Sequence, residues 1–222
     1  MRGVLTKNFK RFLLPILLTF VGAVLILPIS LAVLFPKYPA VEKYLYRWNV
    51  TTLAQSVNEG VNTLIYNNGT IFLPEGLALN FQKIVFKVVP PSAEILCPSG
   101  QEAAVRLFPT YLKVESNGLD CLSAARKIVA DLKITEGGEI FGSLRVEGIN
   151  YNGFPVDLAA FTFKGTSFKG EITTRGLTIK GKGTVKVVFG KGIYIDGTFK
   201  GLGNVRYKVQ GYLPGRLRVR QL

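Results

Sequence analysis

The chain has 222 residues, of which 48% are hydrophobic and 19% charged, with a formal net charge of +14 and a mean hydropathy of +0.28. Its 15 Phe and 9 Tyr residues exclude a disordered chain, which needs low hydrophobicity and few aromatics. Histidine is absent, and Cys97 and Cys121 alone are too few for a zinc site, so no metal or other cofactor is expected.

Residues 12–35 read FLLPILLTFVGAVLILPISLAVLF, 24 consecutive residues without a charge, whereas a bilayer-spanning helix needs about 20. The run predicts a transmembrane helix. Arg2, Lys7, Lys10 and Arg11 precede it with no acid among them, which keeps residues 1–11 cytoplasmic and exports the remainder. A cleaved signal peptide is the rival reading, but its apolar core is shorter and ends in small residues, not in Leu34-Phe35-Pro36-Lys37.

Residues 36–60 form the next segment. Val41, Leu45, Trp48, Leu53 and Val57 fall near helical spacing, so one membrane-proximal amphipathic helix is expected, interrupted near Asn49. Tyr38, Tyr44, Tyr46 and Trp48 would lie just outside the bilayer, where amphipathic rings prefer to sit, or would cap the open end of a sheet.

Residues 61–222 then change to short β-branched and aromatic runs broken by turn residues. The runs NTLIY and TIFL flank Asn67-Asn68-Gly69, read as a turn, and LALNFQKIVFKVV follows Pro74-Glu75-Gly76. A helical interlude is expected at CLSAARKIVA, residues 121–130. Strands resume at 132–134, 140–149, 154–163, 171–174, 177–180, 184–189, 193–199 and 205–212. Gly181-Lys182-Gly183 separates two of them as a turn. This pattern predicts a mainly β exported domain, one strongly curved antiparallel sheet in the form of an open groove, sandwich or partial barrel, with one or two short helices. Export lets Cys97 and Cys121 pair, closing a loop that would stabilise the fold by about 3 kcal/mol in the chain-entropy model; two buried thiols are the alternative.

Charge is uneven. Residues 164–222 carry 13 basic side chains against Glu171 and Asp196. Alternation puts Val205, Tyr207, Val209 and Gly211 on one face and Arg206, Lys208 and Gln210 on the other. Lys180, Lys182, Lys186, Arg206, Lys208, Arg216, Arg218 and Arg220 therefore make a candidate face for an anionic partner, lipid headgroups or an acidic protein, or else a solvated face that keeps the sheet soluble. The tail from Pro214 to Leu222 either completes the sheet or pairs with another subunit. Nucleic acid is disfavoured by location. No catalytic residue emerges: Ser92, Ser99, Ser116 and Ser123 have no histidine to activate them, and Glu136 and Glu139 flank a Gly137-Gly138 turn, so the chain is read as non-enzymatic.

The order of features, an N-terminal anchor, a Pro-flanked aromatic helix, Leu73-Pro74-Glu75-Gly76-Leu77-Ala78-Leu79 leading into Phe81–Val89, and a glycine-punctuated β region ending in Gly211-Tyr212-Leu213-Pro214-Gly215, resembles the inner-membrane N protein of bacterial type II secretion, GspN. More loosely it is similar to AsmA-type envelope proteins. The first resemblance implies a single-pass bacterial inner-membrane protein whose periplasmic β domain is an accessory component of a secretion or envelope assembly, with other subunits as partners. The second implies a lipid-binding or lipid-transfer groove, with phospholipid or lipopolysaccharide as ligand.

Overall fold

The computed structural model describes residues 36–47, 49–73, 76–151, 154–188, 192–201, 205–213 and 217–222. The predicted cytoplasmic segment and transmembrane helix, with Trp48 and Arg216, lie outside the described residues. No helix among the described residues is long and apolar enough to cross a membrane.

Helix α1 (Lys37–Arg47) tolerates Pro39 because the amide that proline lacks has no helical partner in the first turn. It ends where Asn49 takes a left-handed φ of 54°. The amide of Val50 then bonds the Leu45 carbonyl at 3.1 Å and that of Asn49 bonds Tyr46 at 3.0 Å, closing the helix end.

The rest is one antiparallel sheet of fourteen strands in strict sequence order, each hydrogen-bonded to the one before. Its first half comprises β1 (Thr51–Glu59), β2 (Thr63–Phe72), β3 (Ala78–Lys87), β4 (Ser92–Leu96), β5 (Glu102–Phe108), β6 (Tyr111–Leu119) and β7 (Lys127–Thr135). The second half comprises β8 (Ile140–Tyr151), β9 (Phe154–Gly165), β10 (Ser167–Thr174), β11 (Leu177–Val188), β12 (Gly192–Lys200), β13 (Arg206–Leu213) and β14 (Leu217–Gln221). The expected antiparallel, mainly β fold is thus present, and the sheet begins at Thr51, ahead of the predicted residue 61.

Cross-strand partners share a face, so the register traces one apolar surface through the sheet. Leu64, Phe86, Ala93, Val105, Val114, Leu132, Gly142, Phe163, Phe168, Gly183, Gly197, Val209 and Val219 follow it from β2 to β14. Two clusters are buried on it. Leu64, Tyr66, Leu79, Phe81, Ile84 and the two cysteines form the first, beneath Val41 of α1. Ile140, Phe168 and Val185 form the second, with Phe161, Phe163, Ile195 and Phe199. The sheet curls around this second cluster: Val187 donates to the Gly138 carbonyl at 2.8 Å although β9 and β10 separate their strands in the sheet order. The apolar face is therefore the concave one.

Four local expectations are corrected. Thr51–Glu59 is not helix but β1, because the turn at Asn49 ends the helix and leaves Thr52 and Ala54 alternating toward the core. Residues 121–130 are not helix either. Their backbone is committed to β3, with Asn80 donating to the Cys121 carbonyl at 2.9 Å and Ser123 to that of Ala78 at 2.7 Å, before β7 begins. Asn67-Asn68-Gly69 is not a turn but the interior of β2. Pairing skips Gln55, Asn68 and Gln82 across three strands, and Asn68 takes φ 46°, so the strands bend there and keep their apolar side chains on one side. Gly181-Lys182-Gly183 likewise lies inside one strand, β11, where the ring of Phe199 covers Gly181.

Candidate functional site

Two surfaces carry chemistry. The first is the concave apolar face. Between its two buried clusters, Val105, Leu107, Leu112 and Val114 belong to neither, and Leu107 is 52% exposed. The element contacts of β5 and β6 are with their sheet neighbours, so nothing comparable to α1 covers this lane among the described residues. It runs into a hollow of about 320 Å³ lined by Val41, Leu64, Phe86, Val88, Ala93 and Val105, with Lys37 at its margin. Lys37 is itself buried beside Glu59, whose Oε1 accepts from the Lys37 amide at 2.7 Å. That bond holds the Glu59 carboxyl below the usual range. Tyr66 donates to Glu42 of α1 at 2.9 Å, and burial, with that carboxylate, pushes its phenol up. The two bonds seat α1 over the β1–β2 end of the face. This arrangement can take up a flexible apolar chain.

The second surface is the opposite face, where the halves of the sheet differ. In the first half charges are paired: Lys87 with Glu94 at 2.9 Å, and Glu115 with Lys113 at 2.6 Å and with Arg106. Its hollow of about 570 Å³ mixes Glu94, Glu102 and Glu115 with Lys83 and Arg106. In the second half the register sets most cations opposite cations, although Glu171 faces Lys180. Lys169 faces Lys182, Lys180 faces Lys200, Lys200 faces Arg206, and Lys208 faces Arg220. Like charges directly opposite destabilise a sheet. A hollow of about 470 Å³ lies among Lys169, Lys180, Lys182, Thr198, Lys200 and Arg206. Among the described residues the one ion pair recorded for these cations is Lys208 with Asp196 at 3.4 Å.

The predicted cationic residues are thus only partly brought together. Lys182, Lys208 and Arg220 share one cross-strand row through Thr198, and Lys180 and Arg206 share the next through Lys200. Arg218 falls one row away, opposite Gln210, and Lys186 stands opposite Tyr194. Lys169 and Lys200 complete the rows and were not among the predicted face, because the signal for them is strand register and not local alternation. The helix tyrosines Tyr38, Tyr44 and Tyr46 are all exposed, and Tyr38 also packs on Tyr66 with ring centres 6.2 Å apart. Cys97 and Cys121 form the expected disulfide, with Cα atoms 5.5 Å apart inside the first cluster.

No family model matches the chain, and no solved structure matches it. It is similar to a protein of Aquifex aeolicus (strain VF5) described only as uncharacterized, at 27% identity over 192 residues that cover 83% of this chain and 84% of that one.

Proposed function

We propose that the chain is a non-enzymatic protein anchored in a bacterial inner membrane, with its β domain in the periplasm holding lipid acyl chains along the concave face. The observation that carries this reading is the lane of half-buried Val105, Leu112 and Val114 with exposed Leu107 between two buried clusters, which no helix covers among the described residues. An apolar surface left open by the fold marks a binding site. The 24-residue uncharged run before Pro36 supplies the anchor, and the Cys97–Cys121 bond suits an oxidising compartment. The experiment is native mass spectrometry of the full chain released from mild detergent. Retained phospholipid is expected, and Val105→Asn with Val114→Asn should reduce it; a folded chain that carries no lipid would refute the reading.

A second reading, an accessory subunit of a secretion or envelope assembly, is favoured by β14. Its residues are all exposed and its outer edge has no partner strand among the described residues, so it can accept a strand from another subunit. Copurification with an envelope-complex subunit tests this, and recovery of the chain alone counts against it.

A further inference from the structure

The turns at the two ends of the sheet differ in chemistry. At the end where α1 begins lie the β1–β2, β3–β4 and β5–β6 turns, bearing Val61, Val88, Val89, Pro91, Leu107 and Phe108. Val61 is 65% exposed, Val89 66% and Leu107 52%. Between Gly60 and Asn62, Val88 and Pro91, and Leu107 and Thr110 there is no charged residue. The opposite end carries polar turns such as Pro98-Ser99-Gly100 and Thr174-Arg175-Gly176.

Part of the backbone of this apolar rim is also bonded internally. The side chain of Asn62 accepts from the Val89 amide at 2.9 Å and donates to the Val89 carbonyl at 2.5 Å. Val88 donates to the Asn62 carbonyl at 3.0 Å, and Leu107 to that of Pro91 at 2.9 Å. Main-chain groups that already have partners can leave water at little cost, whereas unpaired ones cannot enter an apolar phase. Lys87, Arg106 and Lys113 follow the rim on the opposite face, where Glu94 and Glu115 pair them.

The position of the anchor fixes what the rim meets. The uncharged run ends at Phe35, and Lys37, two residues later, is hydrogen-bonded to Glu59 at the β1–β2 turn. Two residues span at most about 7 Å. We infer that the rim formed by Val61, Val88, Val89, Leu107 and Phe108 inserts into the interfacial zone of the bilayer from which the chain emerges, and that the apolar hollow beside it opens onto the lipid. The inference rests on the anchor assigned above. The rim ends at the next turn on this side, where Glu136 and Glu139 are exposed and would be repelled from an apolar zone. α1 crosses the sheet away from this end, so Tyr46 lies about 13 Å along the helix axis from Lys37 and stands clear of the interface.

The test uses the full chain with its disulfide intact, carrying one added cysteine at Val89→Cys, Leu107→Cys or Val61→Cys and an environment-sensitive fluorophore. Leu177→Cys, at the opposite end of the sheet, is the control. The protein is reconstituted in phosphatidylethanolamine–phosphatidylglycerol vesicles containing doxyl-labelled phosphatidylcholine. A blue shift and several-fold stronger quenching at the three rim positions than at residue 177 are expected. Rim labels quenched no more than the control, in chains that resist alkaline extraction, would overturn the insertion while leaving the anchor intact. Release of the chain by alkaline extraction would overturn the anchor and the rim together.

Discussion

Replacing both Cys97 and Cys121 with Ala removes a cross-link between residues 24 apart and leaves no odd thiol. For a loop of that length the chain-entropy model assigns about 3.5 kcal/mol to the constraint on the unfolded chain. Both sulfurs are buried in the first cluster, Cys97 completely, and losing each adds about 1 kcal/mol of packing. The expected loss is about 5.5 kcal/mol, a large part of the stability of an ordinary domain. With urea slopes of about 1–3 kcal/mol per molar, the midpoint should fall by roughly 2–5.5 M. The assay is urea unfolding of the full chain in micelles, followed by far-ultraviolet circular dichroism. Because the disulfide belongs to the first cluster and none of its members belongs to the second, hydrogen exchange should accelerate in β3–β6 before β8–β12. An unchanged midpoint, or exchange that quickens equally in both halves, would refute the reasoning.

Gly181→Ala would place a Cβ 2.3 Å from the Phe199 ring and should cost about 1–3 kcal/mol, whereas Gly137→Ala, whose Cβ would meet only Thr135 at 3.8 Å, should change the melting temperature little. The raised phenol of Tyr66 contributes stability that is complete below about pH 10, its unfolded value, and is lost as pH rises beyond it. Tyr66→Phe should therefore flatten the alkaline limb of a stability–pH profile and cost about 1 kcal/mol at neutral pH for the lost bond to Glu42. Lys169→Gln, Lys182→Gln and Lys200→Gln together should stabilise the sheet slightly at low salt by relieving cross-strand repulsion, an effect that added salt erases. If the rows serve an anionic partner, the same variant should bind phosphatidylglycerol vesicles more weakly; unchanged, salt-insensitive binding would assign these lysines to solubility.

What the sequence revealed depended on how local the determinant was. The face of β13 was legible because residues two apart, such as Arg206 and Lys208 or Tyr207 and Val209, lie on one side of any extended strand, whereas β11 was read as two strands split at Gly181-Lys182-Gly183. The cysteine pairing was legible once export was expected from the sequence. Thr51–Glu59 and residues 121–130 were not, since what decides them is a left-handed Asn49 in the one case and backbone bonds to Ala78 and Asn80 in the other. Strands β4–β6 were left unassigned, and they frame the open lane. The apolar lane and the paired cation rows are properties of register, which assigns each residue a neighbour tens of positions away.

Every strand pairs with the one that precedes it, so the sheet contains no long-range strand crossover. Such a chain can be laid down in the order in which it is synthesised or threaded through a channel, each new strand docking on a finished template, and little loop-closure entropy is spent at any step. The disulfide can close once residue 121 has emerged, locking the first cluster before the second half exists. Growth is also open-ended, because adding or deleting a terminal hairpin leaves every remaining strand with a neighbour. Length is therefore a quantity that evolution or an engineer can adjust in this molecule one hairpin at a time, extending or shortening the concave face without redesigning what is already folded.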